Sequence, residues 1–206
     1  MENDVKDFLS ELLKQLKSID YIKPEDIPNI DLYMDQVTTF MDEQLAASKR
    51  YESDKILTKT MINNYAKNNL LPSPDKKKYS KEHVLTLLLI YYFKNILSIN
   101  DIRSILNPLT EKYFGNDDGF TMQDVYTEVF SLEAEESQKL LKDLGKKYKI
   151  AGETFEDFPD EDQKFLHTFS FICMLSFDVY IKKMLIERMI DDLNEEKEAS
   201  KKTGSN

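Results

Sequence analysis

The sequence is short of the residues that break helices. In 206 residues there are five glycines and six prolines. Runs of β-branched and aromatic residues at period two, the mark of strands, are also missing. Leucine, isoleucine, methionine, lysine and glutamate stand in their place, and these favour helix. An all-α fold is expected. Charged residues make up 32% and hydrophobics 41% of the chain, the balance of a globular protein rather than a disordered one. A lone cysteine, Cys173, excludes an intramolecular disulfide and suits a reducing cytosol, so a cytoplasmic protein is expected. MENDVKDFLSELL at the start lacks the basic and apolar segments of a secretion signal. The two most apolar runs, Val84 to Ile99 and Phe165 to Ile181, are shorter than the ~20 residues a bilayer span needs. Both read as core helices of a soluble protein.

The residues that carry chemistry are equally sparse. His83 and His167 are the two histidines, and neither sits at metal-ligand spacing from a cysteine or from the other. A glycine-rich phosphate loop and a nucleophile elbow are absent. NDDGF lacks the alternating ligands and the terminal acid of a calcium loop and reads as a solvated turn. His167 is expected to be a satisfied core histidine and Cys173 an inert buried thiol. No enzyme, cofactor or metal site is expected.

Helical periodicity then orders what is present. Val5, Phe8, Leu9, Leu12, Leu13 and Leu16 define an amphipathic helix over 3–18, followed by a loop carrying two prolines. Asp31 can cap a helix over 31–46 with Met34, Val37, Phe40, Met41 and Leu45 on its apolar face. Thr58 caps the next, 58–68. There Met61, Ile62, Tyr65 and Ala66 fall on one side, and Lys59, Thr60, Asn63, Asn64 and Lys67 on the other. Asn69 suits a left-handed helix end. PSPDKKKYS is an extended excursion able to form a two-stranded hairpin, although no glycine marks its turn. Ser80 caps the helix of Val84 to Ile96. Ser98, with Asp101 three residues on, opens a short helix that Pro108 should end. FGNDDGF is the best candidate boundary between domains. Helical patterns follow over 121–148 and 162–194, and the tail beyond should fray. The expected organisation is an N-terminal helix and linker (1–24), a central domain (25–110) and a C-terminal helical region (111–206).

Charge is distributed unevenly. Residues 55–81 hold seven lysines and one acid, Asp75, a local charge of +6 that leaves −16 for the rest of a chain at −10. A basic patch on an acidic chain is the footprint of a polyanion site. A lysine run alone would be a solvated face. The asparagines add to it, because Asn63 and Asn64 are poor helix formers on an outward face, where stability gains nothing from them. Asparagine can bond adenine bidentately in the major groove, and lysine can reach guanine or phosphate.

The order of these elements resembles the MerR-type winged helix-turn-helix. NNYAKNNLLP stands where such domains end their second helix, KKKYSKEH where they carry a basic wing, and LSINDIRSIL at their last short helix. A closer resemblance is to a small bacterial family of MerR-like regulators labelled domain of unknown function 1836. The stretches that carry it are IDLYMDQV, LTKTMINNYAK, KKKYSKEH and LSINDI, and it covers about residues 25–110. It departs from MerR-type domains in having Asn63 for the usual arginine, one aromatic (Tyr65) for a pair, Asn69 for a glycine, and no wing glycine. The metal-binding cysteines of metal-sensing relatives are absent too, so metal sensing is not implied.

The resemblance implies a transcriptional regulator that reads double-stranded DNA as a homodimer. Residues 58–68 would be its recognition helix, with Thr58, Lys59, Thr60, Asn63, Asn64 and Lys67 at the duplex and Tyr65 either reaching a phosphate through its hydroxyl or packing in the core. Lys76, Lys77, Lys78 and Tyr79 would grip phosphates, and the C-terminal helix 162–194 would either dimerise or form a self-contained helical core closed by helix 121–148. The same region could hold a small-molecule effector, which no residue identifies. The rival expectation is a helical protein–protein adaptor that has lost DNA binding.

Overall fold

The computed structural model describes residues 22–116 and 119–203, together with Asp7, Ser10, Glu11 and Lys14. Those four polar residues are helical and exposed. The rest of the helix expected over 3–18 lies outside the described residues. Beyond them the described chain is all-α, with seven helices, two 3-10 turns and one two-stranded sheet. It divides into two compact units. One is Tyr21–Ser131 with Ile186–Asn206, the other Met1–Asp20 with Leu132–Leu185.

After a 3-10 turn (Pro24–Asp26), the first unit runs through strand β1 (Leu32–Tyr33) into helix α1 (Met34–Gln44). Here the structure corrects the expected cap. Asp31 precedes the strand, Tyr33 is the N-cap, and its N–H donates to Gln36 Oε1 at 2.8 Å. The strand takes the residues a longer helix would have used. Helix α2 (Lys59–Lys67) follows, then strand β2 (Lys78–Tyr79). β2 pairs antiparallel with β1, Leu32 opposite Tyr79 and Tyr33 opposite Lys78. The extended excursion thus forms a turn of its own and also joins a strand more than forty residues upstream.

Helix α3 (Lys81–Phe93) is the centre of this unit. Every residue from His83 to Tyr91 is buried. Ser80 caps it as expected, and its N–H donates to His83 Nδ1 at 3.0 Å. Burial lowers the His83 pKa below its ordinary value. Helix α4 (Ile99–Tyr113) has the expected Ser98–Asp101 capping box, with the Asp101 N–H donating to Ser98 Oγ at 3.2 Å. It does not stop at Pro108, which lies inside it. Proline cannot donate to the carbonyl four residues back, so Ser104 O loses its helical partner. The Lys197 ammonium donates to that oxygen at 2.8 Å. Helix α5 (Met122–Ser131) begins with a Thr121–Asp124 cap, and Tyr126 donates its buried hydroxyl to Ile22 O at 3.0 Å.

In the second unit, helix α6 (Glu133–Gly152) packs on the first part of helix α7 (Asp160–Thr203). Tyr148 meets Phe171 edge-on at 5.4 Å, and Lys147 pairs with Asp143 and Asp178. α7 continues through Thr203, well past the end expected near Asn194. His167 Nε2 is bonded to Thr154 O at 2.8 Å, so this histidine has its partner. Cys173 is exposed, not buried. The apolar run around it is also not a core helix, because Phe165, Phe169, Phe177 and Tyr180 all stand in solvent. One face of the run packs, and apolar side chains occupy the others.

Candidate nucleic-acid interface

Helix α2 is held at both ends by its own sequence. Thr58 Oγ1 accepts from the Met61 N–H at 3.2 Å, so the Thr58 side chain serves as the cap. At the other end Asn69 is left-handed, with φ 56°. The Leu70 N–H reaches Tyr65 O at 2.9 Å and the Asn69 N–H reaches Ala66 O at 3.2 Å. This pair of bonds is a Schellman motif, which frees the chain to turn back and bury Leu70 and Leu71. Two further bonds brace this end. Asn68 Nδ2 donates to Asn64 O at 2.8 Å, and Arg103 Nε, from α4, donates to Asn68 O at 3.0 Å.

Between these ends the helix separates as its spacing predicts. Ile62 and Tyr65 are buried, and Met61 and Ala66 are half-buried. Lys59, Thr60, Asn63, Asn64 and Lys67 are exposed. Lys59 pairs with Asp35 of α1. Among the described residues no hydrogen bond engages the side-chain amides of Asn63 or Asn64. A buried amide must find partners within the protein, but an exposed one is free to offer a donor and an acceptor to a ligand.

The lysine run forms a tight turn. The Lys78 N–H donates to Asp75 O at 2.7 Å, and Asp75 and Lys78 make a single β-bridge. Lys76 and Lys77 occupy its two central positions with φ of 46° and 67°. Both values are left-handed, so this is the type I′ geometry normally met by Asn-Gly. A side chain there costs roughly 1–2 kcal/mol per residue. The turn holds Lys76, Lys77 and Lys78 out in solvent. The Lys78 ammonium also lies 5.5 Å from the Tyr33 ring centre, a cation–π contact across the β1–β2 pair. Helix α1 touches both α2 and β2, so one element carries the amide helix and the lysine turn.

Not all the expected contact residues share this surface. Tyr65 and Tyr79 are 6% and 3% exposed and belong to the core. Tyr65 lies three residues from Ile62, on the same helix face. In β2 alternation turns Tyr79 inward and Lys78 outward. The Tyr79 ring meets His83 edge-on at 5.5 Å, and burial raises the pKa of both tyrosines. Two residues unnoticed in the sequence do join the surface: Tyr33, 55% exposed beside Lys78, and Arg103 at the end of α2. Each arrives by a long-range contact that no local pattern announces.

The family described as Domain of unknown function (DUF1836) matches residues 22–129, more than half of the chain. The chain belongs to this family. The matched stretch contains β1, β2 and helices α1 to α4 whole, and so all of the surface described above. No curated protein and no solved structure matches the chain. Among the described residues, no group of three or more His, Cys, Asp or Glu could hold a metal ion, and no helix is long and apolar enough to cross a membrane.

Proposed function

We propose that this protein is a cytoplasmic, sequence-specific DNA-binding regulator of the MerR-like winged helix-turn-helix type, acting as a homodimer. The observation that carries the reading is the outer face of α2. Asn63 and Asn64 are exposed there with unengaged amides, flanked by Lys59, Thr60 and Lys67. In the major groove such amides can bond an adenine edge, which phosphate contacts alone cannot discriminate. α1 and α2 act as the helix-turn-helix pair, with α2 as the recognition helix. The turn of Lys76, Lys77 and Lys78 acts as a short wing on flanking phosphates. Tyr65 and Tyr79, buried beneath, support these two elements and do not touch the duplex.

The charge distribution supports one docking orientation. The +6 patch attracts the duplex while the remaining −16 repels it, so non-specific affinity is weak and strongly salt-dependent. The homodimer rests on α7, where Phe165, Phe169, Phe177 and Tyr180 are all exposed. An exposed apolar stretch of this extent marks an interaction surface. The same stretch favours the rival reading, a helical adaptor without DNA binding.

Selection of random duplexes against the purified protein separates the two. Enrichment of a palindromic site that is lost in an Asn63→Ala/Asn64→Ala variant is the result expected of the regulator. No enrichment even at low salt would overturn that reading in favour of the adaptor.

A further inference from the structure

We propose that the junction of α3, α4 and α5 is a binding site for a small uncharged apolar molecule, a single aromatic ring or a short alkyl chain. A cavity of about 110 Å³ lies there. Leu89 and Phe93 contribute from α3, Ile105, Leu106 and Leu109 from α4, and Val125, Tyr126 and Val129 from α5. Its floor is closed off from solvent: Leu106 and Tyr126 are 0% and 1% exposed. Its mouth is at Val129, which is 52% exposed.

The chemistry of the lining selects the class of ligand. Seven of the eight side chains are hydrocarbon. The eighth, Tyr126, has its hydroxyl committed to Ile22 O at 3.0 Å. The backbone groups along the three helices serve their own ladders, and the carbonyl that Pro108 orphans in α4, Ser104 O, accepts from the Lys197 ammonium. A water in the cavity would lack the two to four polar partners it needs. Sugars, nucleotides, phosphates and carboxylates would lose their hydration with nothing in return. An apolar ring or chain loses nothing on entry and restores the dispersion contacts that the empty space forfeits. The volume fits this class, since an apolar cavity of about 150 Å³ engineered in another protein takes up benzene. The open mouth leaves room for a substituent to project past Val129. No residue of α2 or of the lysine turn lines the cavity, so this site is distinct from the proposed DNA surface.

The test uses the full chain, with toluene as probe, indole as a larger ring and acetate as a charged control. Methyl NMR follows Leu109, Val125 and Val129, and thermal unfolding is read in parallel. Toluene is expected to give saturable shifts confined to the lining methyls and to raise Tm, while acetate gives neither. Val129→Phe places a ring at the half-exposed mouth, where the fold tolerates it, and is expected to weaken toluene binding by about tenfold or more. Leu109→Phe fills the cavity from α4 and is a second check with the same expected loss. The proposal is overturned if toluene produces no saturable shift up to its solubility limit. It is equally overturned if both filled variants bind toluene as the wild type does. Neither outcome depends on DNA binding.

Discussion

The stretches Val84–Ile99 and Phe165–Ile181 are the two most apolar of the chain, and the fold uses them in opposite ways. In α3 nine consecutive residues are buried, two and a half turns with no solvent face. β2, α4 and α5 all touch this helix. In α7 the corresponding stretch buries one aromatic, Phe171, but leaves the others in solvent, with Phe165 70%, Phe169 51%, Phe177 65% and Tyr180 62% exposed. Hydrophobicity drives each segment to helix and to burial of some face. How many faces are covered depends on how many neighbours the chain brings to it. A helix apolar on all sides needs partners on all sides, which α3 finds within its own unit.

The comparison can be broken most directly at α3. Leu88→Ala removes a side chain with 0% exposure, and urea unfolding should show a loss of about 2–5 kcal/mol. A loss below about 1 kcal/mol would mean that α3 is not enclosed on all sides. The next effect concerns the first unit's surface. Asn63→Ala should cost about 1–3 kcal/mol of discrimination at one base pair, read by competition between the selected site and its single-base variants.

The strained turn gives an effect of similar size with opposite signs in two assays. Replacing Lys76→Asn and Lys77→Gly installs the residues that type I′ geometry favours. Unfolding should show a gain of about 1–2 kcal/mol, while the salt slope of DNA binding falls by about two. A more stable variant with an unchanged salt slope would remove the wing from the interface.

His83 supplies a pH signature. Its folded pKa lies below its ordinary value of 6.5 because burial disfavours the charged ring. The unfolded chain therefore binds the proton first. The stability carried by neutral His83 is complete above pH about 6.5 and is lost as pH falls towards and through the lowered folded value. His83→Gln keeps an acceptor for the Ser80 N–H and should flatten that part of the pH profile relative to wild type. The smallest effect on the fold is expected in α7. Phe165→Ala with Phe169→Ala should change unfolding free energy by no more than about 0.5 kcal/mol per site, yet light scattering should show the proposed dimer giving way to monomer. A wild type already monomeric at micromolar concentration would remove the dimer from the proposal.

Much of the candidate surface is legible from local spacing. The Thr58 cap, the two faces of α2 and the left-handed Asn69 all follow from residues within one helix and its ends. These interactions span at most a few positions, so the sequence contains both partners side by side. Tyr79, Tyr33 and Arg103 were not legible in the same way. The position of Tyr79 depends on pairing with Leu32, that of Tyr33 on pairing with Lys78, and that of Arg103 on reaching Asn68 O from another helix. Pro108 misled for the same reason. Its helix continues, with the orphaned Ser104 carbonyl satisfied by Lys197 from far along the chain.

The sequence by itself determined the all-α class, the Thr58, Ser80 and Ser98 caps, the amphipathic division of α2 and the +6 patch in an acidic chain, because propensity, capping and charge act over one or two turns. Only the tertiary structure decided that β2 finishes a sheet begun before α1, that Tyr65 and Tyr79 are core, and that α3 is enclosed while α7 keeps all but Phe171 of its apolar run's aromatics in solvent. Burial is a property of what surrounds a residue, and the surroundings are set by contacts between positions distant in the chain.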